Sequence, residues 1–169
     1  NPKAVDAMSK GDFRGAIAIL DRDIRDGKNV FESYKLRSDV KSMIGDFAGS
    51  LADLDKAIEL KGSDGSLYER RSRLRMMQRY DMKDVLADLD AAISYGVKYE
   101  KVYAQRGWIR AGREDFDGAT ADYQAALAIR PGYAQAVMGI SSVFMRKGED
   151  AKAIETLENF FAILESSGK

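Results

Sequence analysis

The 169-residue sequence contains no cysteine, no histidine and only two prolines. Without cysteine and histidine the chain can form no disulfide and no Cys/His zinc site, and it has no thiol nucleophile. Catalytic triads and general bases built on imidazole are excluded as well. Because no phosphate-binding glycine loop is present either, an enzyme is the least expected class of protein. We expect no cofactor and no metal; the alternative that this composition leaves open is a magnesium or calcium site built from oxygen ligands alone.

The chain also lacks a net charge, since 27 basic residues balance 27 acidic ones. A neutral chain is a poor candidate for non-specific binding to nucleic acid or to an anionic membrane. No apolar run approaches the roughly 18 residues of a membrane span. The sequence opens at an asparagine, which we interpret as a processed or excised piece. This leaves two compartments open, the cytoplasm or, after removal of a signal peptide, the periplasm or exterior.

A short segment recurs five times along the chain, at spacings of 34, 35, 34 and 34 residues. The five copies begin at Gly11, Gly45, Tyr80, Glu114 and Gly148. A similar helical pattern follows most copies, as in Leu51–Ile58 and Leu86–Ile93, and another precedes them, as in Tyr34–Ser38 and Tyr68–Ser72. Apolar residues in both patterns recur at i, i+3, i+4 and i+7, which indicates amphipathic helices. The period predicts a helical repeat protein.

A 34-residue unit of two helices resembles the tetratricopeptide repeat (TPR) family. We number each repeat so that Gly11, Gly45, Glu114 and Gly148 occupy position fifteen. The small residues that the family has at position eight are then Ala4, Ser38, Ser72, Gly107 and Ser141. Position twenty holds Ala16, Ser50, Val85, Ala119 and Ala153, of which only the valine departs from the family pattern.

This resemblance implies an all-α, right-handed superhelical solenoid of antiparallel helix pairs, with about ten helices in one domain, 1–169. The expected repeats are 1–30, 31–64, 65–99, 100–133 and 134–167, the first lacking part of its first helix. One extra residue in the third repeat predicts a longer turn near Gln78–Asp81. Asn29 with Glu32 and Ser66 with Glu69 match capping boxes at two helix starts.

Arginine and aspartate change together at two positions of the repeat. Position seven is Arg37, Arg71 and Arg106 in the middle repeats, where position twenty-three is Asp53, Asp88 and Asp122. The outer repeats lack both residues. We interpret this as three structural ion pairs, Arg37–Asp53, Arg71–Asp88 and Arg106–Asp122, that bridge the two helices of each repeat. The alternative is separate solvated charges.

By resemblance, one face of each first helix lines a concave groove. The ligand-binding candidates on that face are Lys35, Asp39, Arg70, Arg73, Lys101, Gln105, Trp108, Met138, Ser142 and Met145. Trp108 is the only tryptophan, and tryptophan is enriched in binding hot spots. The alternative for Trp108 is a ring half-covered by neighbouring helices, and for the arginines a solvated helix face. The clamp with which some TPR proteins hold a chaperone tail matches only at Lys35 and Lys101, so we do not predict that specificity.

Three functions remain as hypotheses. The first is a non-enzymatic module that binds a protein or peptide in the groove, with acidic groups at one end of the ligand and apolar residues at the other. The second is an assembly scaffold that forms a homo-oligomer or docks through its C-terminal helix, where Phe160 and Phe161 have no following repeat to cover them; the alternative is that both rings pack back. The third, RNA binding, is opposed by the zero net charge, so no nucleic-acid partner is expected.

Overall fold

Ten α-helices form the described part of the chain, residues 1–167 of a computed structural model, and no strand occurs there. The helices are α1 (Pro2–Ser9), α2 (Phe13–Arg25), α3 (Val30–Met43), α4 (Phe47–Leu60), α5 (Gly65–Met77), α6 (Met82–Ser94), α7 (Glu100–Gly112), α8 (Phe116–Ile129), α9 (Ala134–Arg146) and α10 (Asp150–Ser167). The predicted all-α class and helix count are confirmed. Within residues 1–167 we find no helix with the length and apolar content to cross a membrane.

The helices divide into two compact units, Asn1–Gly96 and a second that begins at Val97. In the first unit α1 packs on α2, α3 on α4 and α5 on α6. In the second unit α7 packs on α8, and α9 packs on α10. The assignment of residues 1–169 to a single domain stays a prediction.

The small residues of each repeat are buried where its two helices pack together. Ser38 and Ser50 lie 3.2 Å apart between their hydroxyls, and the Ser50 hydroxyl also donates to the Ser38 carbonyl at 2.8 Å. Val85 replaces the small residue in the third repeat and is fully buried. The crossing in that repeat therefore accepts two extra methyl groups without exposing them.

A left-handed residue ends each first helix and sets where the second begins. Gly11, Gly45 and Gly148 adopt a positive φ, and Arg79 and Glu114 do the same in the other two repeats. Arg79 therefore corresponds to the glycines, and Tyr80 is the extra residue between it and the cap residue Asp81. The longer turn predicted near Gln78–Asp81 is confirmed.

Aspartate caps the second helices, a feature that the sequence analysis did not identify. Asp12, Asp46 and Asp115 accept from the backbone N–H three residues later, which belongs to Gly15, Gly49 and Gly118. A side chain at those glycines would collide with the capping carboxylate. The third repeat has Asp84 at this position, and Asp81 accepts from Lys83 N–H instead.

Both predicted capping boxes are wrong. Asn29 precedes α3 in a left-handed conformation, and its side chain makes no capping hydrogen bond. Asp64 caps α5 by accepting from Ser66 N–H at 3.0 Å, so the helix begins before Ser66. The Glu69 carboxylate faces Arg73 at 3.2 Å. An aspartate directly before the helix thus replaces the serine as its cap.

The two neighbouring phenylalanines of the C-terminal helix differ in their exposure to solvent. The Phe160 and Phe161 ring centroids lie 5.9 Å apart. Phe160 is half-buried, whereas Phe161 is 58% exposed. The expectation that both rings pack back is therefore wrong for Phe161.

Tyr123 fills the centre of the second unit because two glycines make room for its ring. A Cβ atom at Gly139 would lie 2.3 Å from the Tyr123 Cζ, and one at Gly107 would lie 3.1 Å from its Cε1. The ring is buried, and burial, followed by the charge of Asp122, raises the pKa of Tyr123 to about 12.

We expect Gly139→Ala to lower the free energy of unfolding by about 1–3 kcal/mol, because the new methyl group overlaps the Tyr123 ring. Gly112→Ala is the control. It is also helical, but its Cβ meets no atom within 4 Å, so stability should be unchanged or raised by up to about 1 kcal/mol. Urea-induced unfolding followed by circular dichroism measures both. Equal effects of the two substitutions would contradict this packing.

We also expect a specific loss of stability at high pH. The unfolded chain ionises Tyr123 near pH 10, while the folded chain keeps it neutral up to about 12. The stability that this neutral phenol contributes is complete below about pH 10 and disappears as the pH rises through 12, a total of up to about 3 kcal/mol. Urea unfolding of wild type and Tyr123→Phe at about pH 9 and 11 measures it. The wild type should lose more stability than the variant, and equal losses would show that Tyr123 ionises normally in the fold.

Candidate functional site

Arginines of the first helices pair with buried aspartates of the second helices. Arg37 donates to Asp53 from Nη2 and Nε at 2.6 and 2.8 Å, which is a bidentate pair. Arg71 reaches Asp88 and Arg106 reaches Asp122, each at 2.6 Å from Nη2 to Oδ1. We call these three pairs the Arg–Asp ladder. Each of its aspartates is only 2% exposed.

A second cation, one helical turn after each ladder arginine, reaches the same carboxylate. Lys41 lies 2.9 Å from Asp53, Arg75 lies 2.8 Å from Asp88, and Arg110 lies 3.0 Å from Asp122. Each ladder aspartate is thus neutralised by two basic side chains of the same first helix. This contact was not predicted, although a basic residue stands four positions after each of the three arginines in the sequence.

In the first unit the ladder arginines also reach the second helix of the preceding repeat. Arg37 donates to Asp21, and Arg71 Nη1 lies 2.7 Å from Asp55. Arg37 therefore links α2, α3 and α4, while Arg71 links α4, α5 and α6. Asp53 and Asp55 are two residues apart on α4, so their side chains diverge and serve different arginines.

A tyrosine one turn before each ladder arginine packs against its guanidinium. The Tyr34, Tyr68 and Tyr103 ring centroids lie 5.2, 5.5 and 6.0 Å from the Cζ atoms of the ladder arginines. The hydrogen bond to Asp53 raises the pKa of Arg37 above its ordinary value. For Arg71, burial alone would lower the pKa, but the hydrogen bonds to Asp88 and Asp55 outweigh burial and raise it. These contacts hold the arginines in their charged form.

We expect Asp88→Ala to lower the free energy of unfolding by about 3 kcal/mol, because it leaves the partly buried Arg71 and Arg75 without their shared carboxylate. Asp55→Ala removes the other partner of Arg71, but Asp55 is 50% exposed in its side chain, so the loss should stay below about 1 kcal/mol. Urea unfolding measures both variants. A loss for Asp88→Ala no larger than that for Asp55→Ala would refute the structural role of the buried pair.

The groove candidates of the first unit are paired with acidic side chains. Arg70 lies 2.9 Å from Asp39, and Lys35 lies 3.2 Å from Asp64. Asp39, Arg70 and Arg73 line a cavity of about 210 Å³. Burial raises the pKa of Asp39, although Arg70 partly opposes this. An acidic ligand would have to compete with these internal carboxylates.

Three of the six groove candidates of the second unit are large apolar side chains that are open to solvent. Trp108 on α7 is 53% exposed, and Met138 and Met145 on α9 are 68% and 55% exposed. Lys101 and Ser142 are also exposed, and Gln105 is half-buried. No ion pair holds Lys101 among residues 1–167. We call this set, Lys101, Gln105, Trp108, Met138, Ser142 and Met145, the α7/α9 face.

Comparison with known proteins identifies the fold class. The crystal structure of MamA matches with a TM-score of 0.83 over 98% of this chain and 96% of that chain, at 21% identity. YrrB, described as a TPR protein with an unusual peptide-binding site, matches with a TM-score of 0.81 over 95% and 82% of the two chains, at 19% identity. The chain therefore has the TPR helical-repeat fold. No family model matches its sequence.

Among curated proteins, the chain is similar to the mitochondrial import receptor subunit TOM70 of Rattus norvegicus. The two are 27% identical over 139 residues, which cover 79% of this chain. The corresponding mouse protein matches to the same extent. The chain spans only 23% of the length of these relatives.

Proposed function

We propose that this protein is a non-enzymatic interaction module that binds a segment of a partner protein on the exposed faces of its first helices. The fold likeness to a peptide-binding TPR protein and the sequence similarity to an import receptor subunit support this proposal. The absence of histidine and cysteine throughout the sequence supports a role without catalysis.

The observation that carries the proposal is the apolar character of the α7/α9 face. Trp108, Met138 and Met145 are each more than half exposed on two helices that contact each other. Large exposed apolar side chains in a group indicate an interaction site, and methionine adapts its shape to different ligands. A partner segment with apolar side chains fits this face.

Charged contacts can orient the partner segment on this face. An acidic group on the partner can pair with Lys101, which is exposed on the α7/α9 face. Such exposed pairs contribute only about 0.2–1 kcal/mol each. We therefore propose an acidic and apolar segment that binds with micromolar affinity, mainly through Trp108.

The test uses peptides selected from an unbiased library. Trp108→Ala should weaken their binding at least about tenfold, because the aromatic ring that the bound peptide covers is lost. Tyr80→Ala removes another exposed aromatic ring, 46% exposed in the inserted turn, and should leave binding unchanged. Since Trp108 is the only tryptophan, its fluorescence should be quenched by iodide in the free protein and protected by the peptide. Selection of basic peptides, or unaltered binding by Trp108→Ala, would contradict the proposal.

A second candidate function is self-association through α10. Ile154, Phe161 and Leu164 form an exposed apolar stripe on this helix, at 57%, 58% and 48% exposure. Two copies could bury these stripes against each other. Sedimentation at several protein concentrations tests this candidate: a concentration-dependent dimer that Phe161→Glu abolishes supports it, whereas a monomer throughout rejects it.

A further inference from the structure

The last repeat has neither the Arg–Asp pair of the ladder nor the side chains that contact this pair in the middle repeats. Ile140 occupies the position of the ladder arginine, and Val137 occupies the position of the tyrosine three residues before it. Phe144 occupies the position of the second cation. Thr156 stands in place of the ladder aspartate. Gln124 occupies the position that Asp21 and Asp55 have in earlier repeats. The five positions change together.

These five residues line a single groove in the second unit. The groove has a volume of about 380 Å³ and lies along α8, α9 and α10. Leu127, Phe160 and Ile163 add to its apolar wall. In the first unit, the corresponding place holds Arg37 between Asp21 and Asp53, or Arg71 between Asp55 and Asp88. The groove therefore lies where the ladder is missing.

The charges around this groove leave one acidic group available. Lys152 lines the groove and lies 2.7 Å from Glu149, so this lysine is paired within the chain. Glu155 also lines the groove, is exposed, and has no ion pair in the described part of the chain. The groove thus combines an apolar interior with one unneutralised carboxylate, which complements a basic side chain.

We propose that this groove, defined as the α8/α10 groove, is a second binding site, which takes an amphipathic helical segment of a partner protein. Apolar side chains of that segment enter between α8 and α10, and an adjacent lysine or arginine pairs with Glu155. The 14 residues of α8 extend about 20 Å, which is enough for anchors at i, i+3 or i+4, and i+7.

The α8/α10 groove is separate from the α7/α9 face. Helix α9 contributes Val137, Ile140 and Phe144 to the groove, whereas its exposed Met138 and Met145 belong to the α7/α9 face. The two sites can therefore be tested independently.

The probe is a helical peptide with leucine at i, i+3, i+4 and i+7 and lysine at the flanking positions. Its binding is measured by fluorescence anisotropy, beside a peptide with glutamate in place of lysine. We expect the lysine peptide to bind about twofold to fivefold more tightly, because its partner Glu155 is exposed. Phe160→Ala should weaken it at least about fivefold, since Phe160 lines the groove, whereas Phe161→Ala, a neighbour outside the groove, should not change it.

Restoring the ladder supplies a sharper test. Ile140→Arg combined with Thr156→Asp places the pair of the middle repeats into the groove and should abolish peptide binding while the circular dichroism spectrum is retained. Trp108→Ala should leave binding of this probe unchanged, which separates this site from the one proposed above. Equal binding of the two peptides would overturn the proposal, and so would equal effects of Phe160→Ala and Phe161→Ala. The comparison of these two single variants tests the proposal even if the double variant does not fold.

Discussion

Three carboxylates that are only 2% exposed impose the main constraint on this structure, because a buried charge is costly unless it is paired and hydrogen-bonded. Each of these aspartates, Asp53, Asp88 and Asp122, receives two basic side chains from the first helix of its repeat. In the first unit, the arginine also holds an aspartate of the preceding second helix. If a helix shifted along its neighbour, a charge would remain buried without its partner. The pairs therefore fix the helix register.

The ladder depends on the small residues beside it. Each ladder arginine directly precedes the small residue at position eight, as in Arg37–Ser38, and each ladder aspartate follows position twenty by three residues. The close crossing at Ser38 and Ser50 therefore brings the guanidinium within reach of Asp53. The last repeat keeps the small residues Ser141 and Ala153 but has no ladder, so the same crossing there borders an apolar groove.

The repeat period predicted the helices, the longer turn and the residues that form the ladder, because these features depend on contacts within one repeat. The ion pairs between different repeats were not predictable in the same way. Arg71 with Asp55 and Arg70 with Asp39 join different repeats, and their pairing depends on how one repeat packs on the next. The capping boxes failed for a local reason, since Asp64 accepts from Ser66 N–H and α5 begins before the serine.

A double-mutant cycle between Arg71 and Asp88 tests most directly whether these buried pairs hold the repeats in register. Arg71→Leu and Asp88→Leu are made singly and together, and the free energy of unfolding is measured in urea. Asp88→Leu leaves both Arg71 and Arg75 without their shared carboxylate, and Arg71→Leu leaves Asp88 with Arg75 alone. The double change removes the Arg71–Asp88 pair as a whole and leaves only Arg75 without its partner. We expect the double variant to lose less stability than the sum of the single losses, by at least about 1.5 kcal/mol. Losses that add to within about 0.5 kcal/mol would contradict it.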